Sequence, residues 1–360
     1  MRSKKYKSVD FWKRFIKKDF DKLTKLFAGF DYLSEEEKKV LFKEFVEVIN
    51  IETSSYCNRA CIYCPLHYYN RGKRKEYINK EVFQKIINEL KCIDFDGTFI
   101  LNLYNEPLLD ENLPSTVSYI RSELPESYIL FNSNGDYLSR EMLTTLSRSG
   151  VDNIVVTLHS SKPLSEQDAV GSIEMYYKKL GIKDFSFVTY APDKCISATA
   201  NFDSLIIDVF CKNLVSKGNN RAGSVLLDSL NKKDFMRKSP CIRPFRELTI
   251  SYTADTYLCC NIFPDNPRSK ELMLGNLNYV SIYDVFFSNM MAYFRSRLID
   301  FSPKGIYPCD SCNDCLEDKD TFPIINDNNY KRLLEFLKIA RNSDTRESLR
   351  EKDAAFLKEQ

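Results

Sequence analysis

Within the first forty or so residues, Phe11, Phe15, Phe20, Leu23 and Leu26 recur among lysines at helical spacing, and Ser34 then opens a capping-box pattern, SEEE. A helical N-terminal extension is predicted there. From about Phe45 short apolar runs alternate with amphipathic stretches. FVEVINIET reads as a strand, NKEVFQKIINELK as a helix, GTFILNLY as a strand and LPSTVSYIRSEL as a helix. SYILFNSN, SREMLTTLSRSG and DNIVVTLHS continue in the order strand, helix, strand; SEQDAVGSIEMYYKKLG is another helix, and KDFSFVTY and SLIIDVFC are further strands. Strands separated by helices of about a dozen residues mark parallel βα units, in a barrel or an open sheet. Ligand sites in such folds gather at the C-terminal ends of the strands.

After about Lys238 the texture changes. RELTISY and TYLCCNI flank a polar tip and read as a β-hairpin, SIYDVFFSNMMAYFRSRL as one amphipathic helix, and PCDSCNDC as a tight cysteine group. From about Asn326, NYKRLLEFLKIA reads as a packed helix and SDTRESLREKDAAFLKEQ as a solvated one. The organisation predicted is an extension over 1–44, a core over 45–237, a second region over 238–322 and a helical tail over 323–360.

Composition narrows the class. With 43% hydrophobic residues and more Phe and Tyr than Gly and Pro, the chain is globular and neither low-complexity nor disordered. Its 52 Lys and Arg nearly cancel 50 Asp and Glu, so no whole-molecule field recruits nucleic acid or a membrane surface. Lys4, Lys5 and Lys7, and Arg71, Lys73, Arg74 and Lys75, are read as solvated surface. No signal peptide and no apolar run of spanning length is evident, so a cytoplasmic protein is expected. In a reducing compartment twelve cysteines point to metal ligation or catalysis, and nine of them fall into three tight groups. Cys92, Cys195 and Cys211 are isolated and are read as core residues.

Cys57, Cys61 and Cys64 lie within eight residues, directly after a predicted strand. A structural zinc site using His67 as fourth ligand would be unusually compressed. Three thiolates in one short loop instead suit three irons of a cubane, which leaves the fourth iron open to an exogenous ligand.

The segment CNRACIYCP resembles the CxxxCxxC loop of radical S-adenosylmethionine (radical SAM) enzymes, and later segments extend the resemblance. Asn105, Glu106 and Pro107 end the second strand where that family carries a GEP-type motif, with Asn in place of Gly. Ser133 and Asn134 belong to a TNG-like turn, Thr157 ends the fourth strand, and Arg221 lies in a late loop, NRAG. Tyr63 matches an aromatic position that packs on adenine. The resemblance implies a partial (β/α)6 TIM-like barrel of the α/β class. It implies SAM bound by Tyr63, Asn105, Glu106, Pro107, Ser133, Asn134, Thr157 and Arg221, and a [4Fe-4S] cluster held by Cys57, Cys61 and Cys64. His159, at the end of a strand, is a candidate for proton transfer or substrate contact.

Cys241, the hairpin, the pair Cys259 and Cys260, the GNL segment and Cys309, Cys312 and Cys315 are similar to the C-terminal SPASM and twitch domains of that superfamily. The resemblance implies a β-hairpin plus helix domain with one auxiliary [4Fe-4S] cluster on Cys241, Cys259, Cys309 and Cys312, with Cys260 and Cys315 as alternates. By itself, the same pattern would also fit a zinc ribbon.

The spacing is similar to that of twitch enzymes that oxidise a sugar alcohol. The function expected is therefore reductive cleavage of SAM to a 5′-deoxyadenosyl radical, followed by oxidation or epimerisation of a carbohydrate or cyclitol. The alternatives are a maturase acting on a peptide substrate and, more remotely, a zinc-stabilised binding protein. A flavodoxin or ferredoxin is the expected electron donor.

Overall fold

The alternating middle of the chain builds one sheet. The computed structural model describes residues 8–29, 32–71, 75–159, 165–191, 195–212, 214–231, 239–300, 305–314, 326–340, 348–349 and 351–353. Helices α1 (Ser8–Ile16), α2 (Phe20–Lys25) and α3 (Glu35–Phe45) precede β1 (Val48–Ile51), α4 (Lys80–Lys91), β2 (Thr98–Ile100), α5 (Leu113–Glu123), β3 (Tyr128–Ser133), α6 (Arg140–Ser149), β4 (Asn153–His159) and α7 (Glu166–Lys179). Then come β5 (Phe185–Ala191), β6 (Cys195–Phe202), β7 (Leu205–Lys212), α8 (Leu214–Lys217), α9 (Arg243–Arg246), β8 (Glu247–Ile250), β9 (Asp255–Tyr257) and β10 (Met273–Asn276). Helices α10 (Ile282–Phe286), α11 (Asn289–Leu298) and α12 (Asn328–Ala340) follow.

The ten strands form one sheet in the order β10-β9-β8-β1-β2-β3-β4-β7-β6-β5. From β8 through β7 in that order the pairing is parallel, so six parallel strands occupy the centre. Antiparallel strands extend both sides. The α/β class and the count of six parallel strands agree with the expectation, but two are reached by unexpected routes. CISATANF forms β6, which the pattern did not show because only small residues and one isoleucine face inward. It turns β5, β6 and β7 into an antiparallel meander, so KDFSFVTY is not a parallel strand. The sixth parallel strand is β8, the first arm of the predicted hairpin, which pairs with β1 from Val48↔Glu247 to Ile51↔Ile250.

Local signals hold at the helix ends. Ser34 and Glu37 form the reciprocal capping box of α3, and Gly150 closes α6 at φ 97, a conformation open to glycine at little cost. The helix predicted over SIYDVFFSNMMAYFRSRL is two, because Ser288 caps α11 anew. The C-terminal tail is not wholly solvated: Asp353 is buried, and its carboxylate accepts from the amides of Asn289 and Met290 at 3.1 and 3.0 Å, at the positive end of α11. Cys211 is buried as expected, Cys195 is half-buried, and Cys92 is exposed at the end of α4, so it is not a core residue. No helix among the described residues is long and apolar enough to cross a membrane.

The N-terminal helices pack into the molecule. Trp12, Phe15 and Phe27 set their rings edge-on around Phe245 of α9, with centroids 5.2–5.9 Å away. Lys38 of α3 pairs with Asp284 of α10 at 2.6 Å, both nearly inaccessible to solvent. Arg295 is fully buried, stacks on Phe286 at 4.1 Å and donates to the carbonyls of Pro244 and Leu26. Arg71 corrects the reading of its cluster as solvated surface. Its side chain is 3% exposed, pairs with Glu52 at 2.7 Å and Asp265 at 2.6 Å, and lies over the rings of Tyr252 and Phe263. Lys75 lies over Tyr56, while Lys4, Lys5, Lys7, Lys73 and Arg74 fall outside the described residues.

Two stability measurements test this packing. Phe245→Ala empties a site shared by three aromatic rings and should cost about 3–5 kcal/mol, read as a lowered urea midpoint. Arg71→Gln leaves the inaccessible carboxylate of Glu52 without its cation, and a loss of about 3–5 kcal/mol is expected by the same assay. A midpoint unchanged by Arg71→Gln would show that the ion pairs contribute nothing net.

Candidate functional site

Five of the six parallel strands, β1, β2, β3, β4 and β7, deliver polar residues at or just beyond their C-terminal ends, β8 contributes Glu247 at its start, and these line one cavity of about 680 Å³. The loop after β1 brings Cys57, Cys61, Tyr63 and Cys64; the loop after β2 brings Asn105 and Glu106; the end of β3 brings Ser133 and Asn134. Thr157 and His159 come from β4, and Arg221 comes from the loop after α8. Of the residues expected to bind SAM, Pro107 alone is absent from the lining; it is buried at the start of a 3-10 turn, Pro107–Leu109.

The cysteine loop is clamped from outside. Arg59 pairs with Asp136, Asn58 donates to Asp136 at 2.8 Å, and Asn134 donates to Asn58 at 2.9 Å, joining the loop to the turn after β3. That turn needs Gly135: its φ is +77, and a β-carbon there would lie 2.5 Å from the hydroxyl of Tyr176, which itself donates to the Gly135 carbonyl at 3.0 Å. Glu106 ties the same turn to the loop after β2. Its oxygens accept from the Ser133 hydroxyl and the Asn134 amide, each at 2.7 Å, and from the Leu108 amide at 3.2 Å. Burial raises its pKa in spite of these donors. Glu106 therefore serves the site mainly by fixing two strand-end loops against each other. Asn105, standing where glycine was expected, donates to Ser54 at 3.2 Å and accepts from the Leu103 amide at 3.2 Å.

His159 lies with its ring 5.2 Å from that of Tyr63. Burial, reinforced by Arg59, lowers its pKa to about 4, and its Nδ1 is buried with no hydrogen-bond partner among the described residues. Arg221 sits on strained backbone, φ +49 followed by +51 at Ala222, and lies over the ring of Tyr104 while donating to Asn261 at 3.0 Å. His67 holds its Nδ1 3.2 Å from the Ala60 carbonyl and is not part of the cavity wall.

The C-terminal cysteines stand beside this cavity. Cys241, Cys259, Cys309 and Cys312 surround a second, smaller pocket whose other walls include Leu258, Ile262, Pro244 and Pro308. Cys241, Arg243 and Asp314 line both spaces. Cys260 faces the larger cavity, where Arg243 lies 3.1 Å from its sulfur; Cys315 falls outside the described residues. Arg243 also pairs with Glu247 at 2.9 Å and Asp314 at 2.8 Å. Burial alone would raise the pKa of Asp314, yet Arg243 and Asn261 hold it at about 2.

Burial pushes the Cys57 thiol up to about 12 and raises those of Cys64 and Cys259, so these thiols stay protonated without a cation to replace the proton. Among the described residues no three Cys, His, Asp or Glu side chains converge as a single-ion site. A ring of four thiols about an apolar pocket, and three thiols at the edge of a larger cavity, suit clusters of several metal atoms better than one ion.

Several residues of the site carried no recognised motif. Arg243, Glu247 and Asp314 acquire their role only by meeting in space. Asp208, Phe210 and Lys212 of β7 also line the cavity, and the alternation in IIDVFCK was the available signal.

Comparison with known proteins agrees with this arrangement. The Radical SAM superfamily matches residues 51–194, and the SPASM iron-sulfur cluster-binding domain matches residues 241–316. The S-adenosyl-L-methionine-dependent 2-deoxy-scyllo-inosamine dehydrogenase of Niallia circulans is 24% identical over 268 residues, which cover 74% of this chain and 92% of that protein. The crystal structure of BtrN with AdoMet and 2-DOIA superposes with a TM-score of 0.56 at 21% identity, covering 75% of this chain and 93% of that one. BtrN in an open conformation gives 0.50 at 19% identity, covering 75% and 92%. At these identities the likeness to the solved structures is one of fold. The two domains together imply SAM, a SAM-binding [4Fe-4S] cluster and an auxiliary cluster as cofactors. The chain carries a radical SAM domain followed by a C-terminal SPASM iron-sulfur cluster-binding domain.

Proposed function

We propose that the protein is a radical SAM dehydrogenase that oxidises a secondary alcohol of a carbohydrate or cyclitol. The observation that carries this reading is the shared wall. Cys57, Cys61 and Cys64 line a cavity large enough for SAM and a small ring, and Cys241 of the second thiol group lines the same space. The relative from Niallia circulans, a dehydrogenase of an aminocyclitol, favours this substrate class.

In this reading Cys57, Cys61 and Cys64 hold the SAM-binding cluster, and Cys241, Cys259, Cys309 and Cys312 hold one auxiliary cluster. When bound, these groups supply the reductive cleavage of SAM that yields a radical able to take hydrogen from a substrate carbon, and an acceptor for the electron then left behind. The chain's own residues bind and orient. Tyr63, Thr157 and Arg221 border the space for SAM, and the residues of the GEP-like and β3 turns keep that space in shape. The oxidation also releases the hydroxyl proton. His159, kept neutral by burial and with Nδ1 unpartnered among the described residues, is the acceptor placed to receive it. Burial of Cys259, Cys309 and Cys312 around the second pocket keeps water away from that centre. A flavodoxin or ferredoxin is the proposed electron donor.

Iron and sulfide quantification after anaerobic reconstitution should give about eight irons per chain; four would refute the auxiliary cluster, and none the enzyme reading. Replacing Cys57, Cys61 and Cys64 together by Ala should abolish cleavage of SAM to 5′-deoxyadenosine. His159→Gln should lower product formation by about a hundredfold or more if the ring carries the proton.

The same histidine predicts a pH effect on stability. Its folded pKa of about 4 lies below the ordinary value near 6.5, so between these values the unfolded chain binds the proton and the folded one does not. Stability is therefore lost as pH falls from about 6.5 towards 4. Urea midpoints compared at neutral and acid pH should show a shallower decline for His159→Gln than for the wild type.

A further inference from the structure

Strand β7 turns Asp208, Phe210 and Lys212 to one side, in register with Val155, Thr157 and His159 of β4, and all six line the main cavity. Alternate residues along a strand are about 6.5–7 Å apart. Asp208 therefore sits one step deeper than Phe210 and Thr157, on the side of the cavity away from the strand ends that carry Tyr63 and the first cysteines.

The carboxylates on this wall differ in one respect. Glu247 is paired with Arg243 and Arg246, Asp314 with Arg243, and both oxygens of Glu106 accept from Ser133 and Asn134. Asp208 accepts from the neutral amide of Asn153 at 2.8 Å and has no cation paired with it among the described residues. One amide satisfies only part of a carboxylate's capacity for about four hydrogen bonds. Asp208 is half-buried, so its unused acceptor capacity faces the cavity and is open to a ligand. Just above it Phe210 lines the cavity, with the ammonium of Lys212 5.1 Å from its ring centroid, and the ring gives the C–H face of a saturated ring apolar surface to pack on. Asn50 of β1, Asn132 of β3 and Asn102 just past β2 also line the cavity; Asn50 donates to Glu247 at 3.4 Å and Asn132 to Asn102 at 3.2 Å, and their remaining amide capacity suits hydroxyl groups.

We propose that Asp208 is a specificity-determining residue, pairing with an ammonium substituent of a polyhydroxylated ring that packs on Phe210. The substrate class is thus an amino-substituted cyclitol or sugar, held with its cation deep in the cavity and the carbon to be oxidised towards the strand ends. This rests on the dehydrogenase reading above. A neutral polyol would meet the amides but leave Asp208 unmatched.

The test uses the full chain, anaerobically reconstituted and with SAM bound. Dissociation constants are measured for 2-deoxy-scyllo-inosamine and for the same ring bearing a hydroxyl in place of the amine. A charge-assisted contact predicts that the wild type prefers the amine by roughly ten- to a hundredfold. In Asp208→Asn, which keeps shape and an acceptor for Asn153, that preference should vanish through weaker binding of the amine. Iron and sulfide contents equal to wild type verify that the variant is folded. The proposal is overturned if the wild type does not discriminate, if Asp208→Asn keeps the preference, or if a wild-type chain that cleaves SAM binds neither ring. A wild-type chain that holds both clusters and does not cleave SAM would instead defeat the underlying enzyme reading.

Discussion

The parallel pairing of β8 with β1 is the contact on which the rest of the site depends. β1 runs into the loop of Cys57, Cys61 and Cys64, and β8 is flanked by Cys241 before it and by Cys259 and Cys260 after it. Laying these strands side by side, in the same direction, sets the first thiols where β1 ends and Cys241 where β8 begins, so thiols almost two hundred residues apart face one cavity from its two ends. A parallel pair cannot be closed by a tight turn. The long excursion from β1 to β8 is the remainder of the parallel sheet, and its strand ends supply the other walls of the cavity. The region after 238 is in this sense part of the core sheet and contributes its own hairpin to it.

Side-chain contacts then hold the two cysteine regions at a set separation. Arg71 runs from the segment after the first cysteines to Asp265 beyond the hairpin, with Glu52 fixing its other side. Tyr104 donates to the carbonyl of Cys260 at 3.1 Å, and Arg221 lies over its ring. These groups are buried, and a buried guanidinium or carboxylate is tolerable only with its partner in place, so the geometry is closely specified. Specificity of arrangement is what electron and hydrogen transfer between fixed centres requires. The N-terminal helices support this from behind, through the aromatic cluster around Phe245, directly before β8.

Charge is distributed unevenly over the cavity. Towards the auxiliary thiols, arginines and carboxylates neutralise one another in a network of Arg243, Glu247 and Asp314. Around the first thiols Arg59 is occupied by Asp136. What remains open to a ligand is the neutral ring of His159, the amides of the inner strands and the face of β7. The electrostatic character of the substrate space is thus set by a few residues left unpaired, while most of the ionisable groups act on the protein itself.

Much of this was legible in the chain because it is encoded locally. The cysteine spacing, the capping box of α3 and the strand-helix alternation through β4 each depend on residues within a few positions of one another, and each holds in the structure. What the sequence did not decide was pairing. CISATANF is too weakly apolar to announce a strand, and it becomes one because β7 offers it a ladder of hydrogen bonds; RELTISY reads the same whether it closes a hairpin or joins a parallel sheet. Arg71 looked like surface charge among other basic residues, and its burial depends on Glu52 and Asp265, which only the fold brings near. By itself the sequence determined the chemistry available and the kind of elements that carry it. Which thiols, charges and cavity walls meet was decided by the tertiary structure, because contact between distant segments depends on shape and on the matching of buried charges, which no local pattern records.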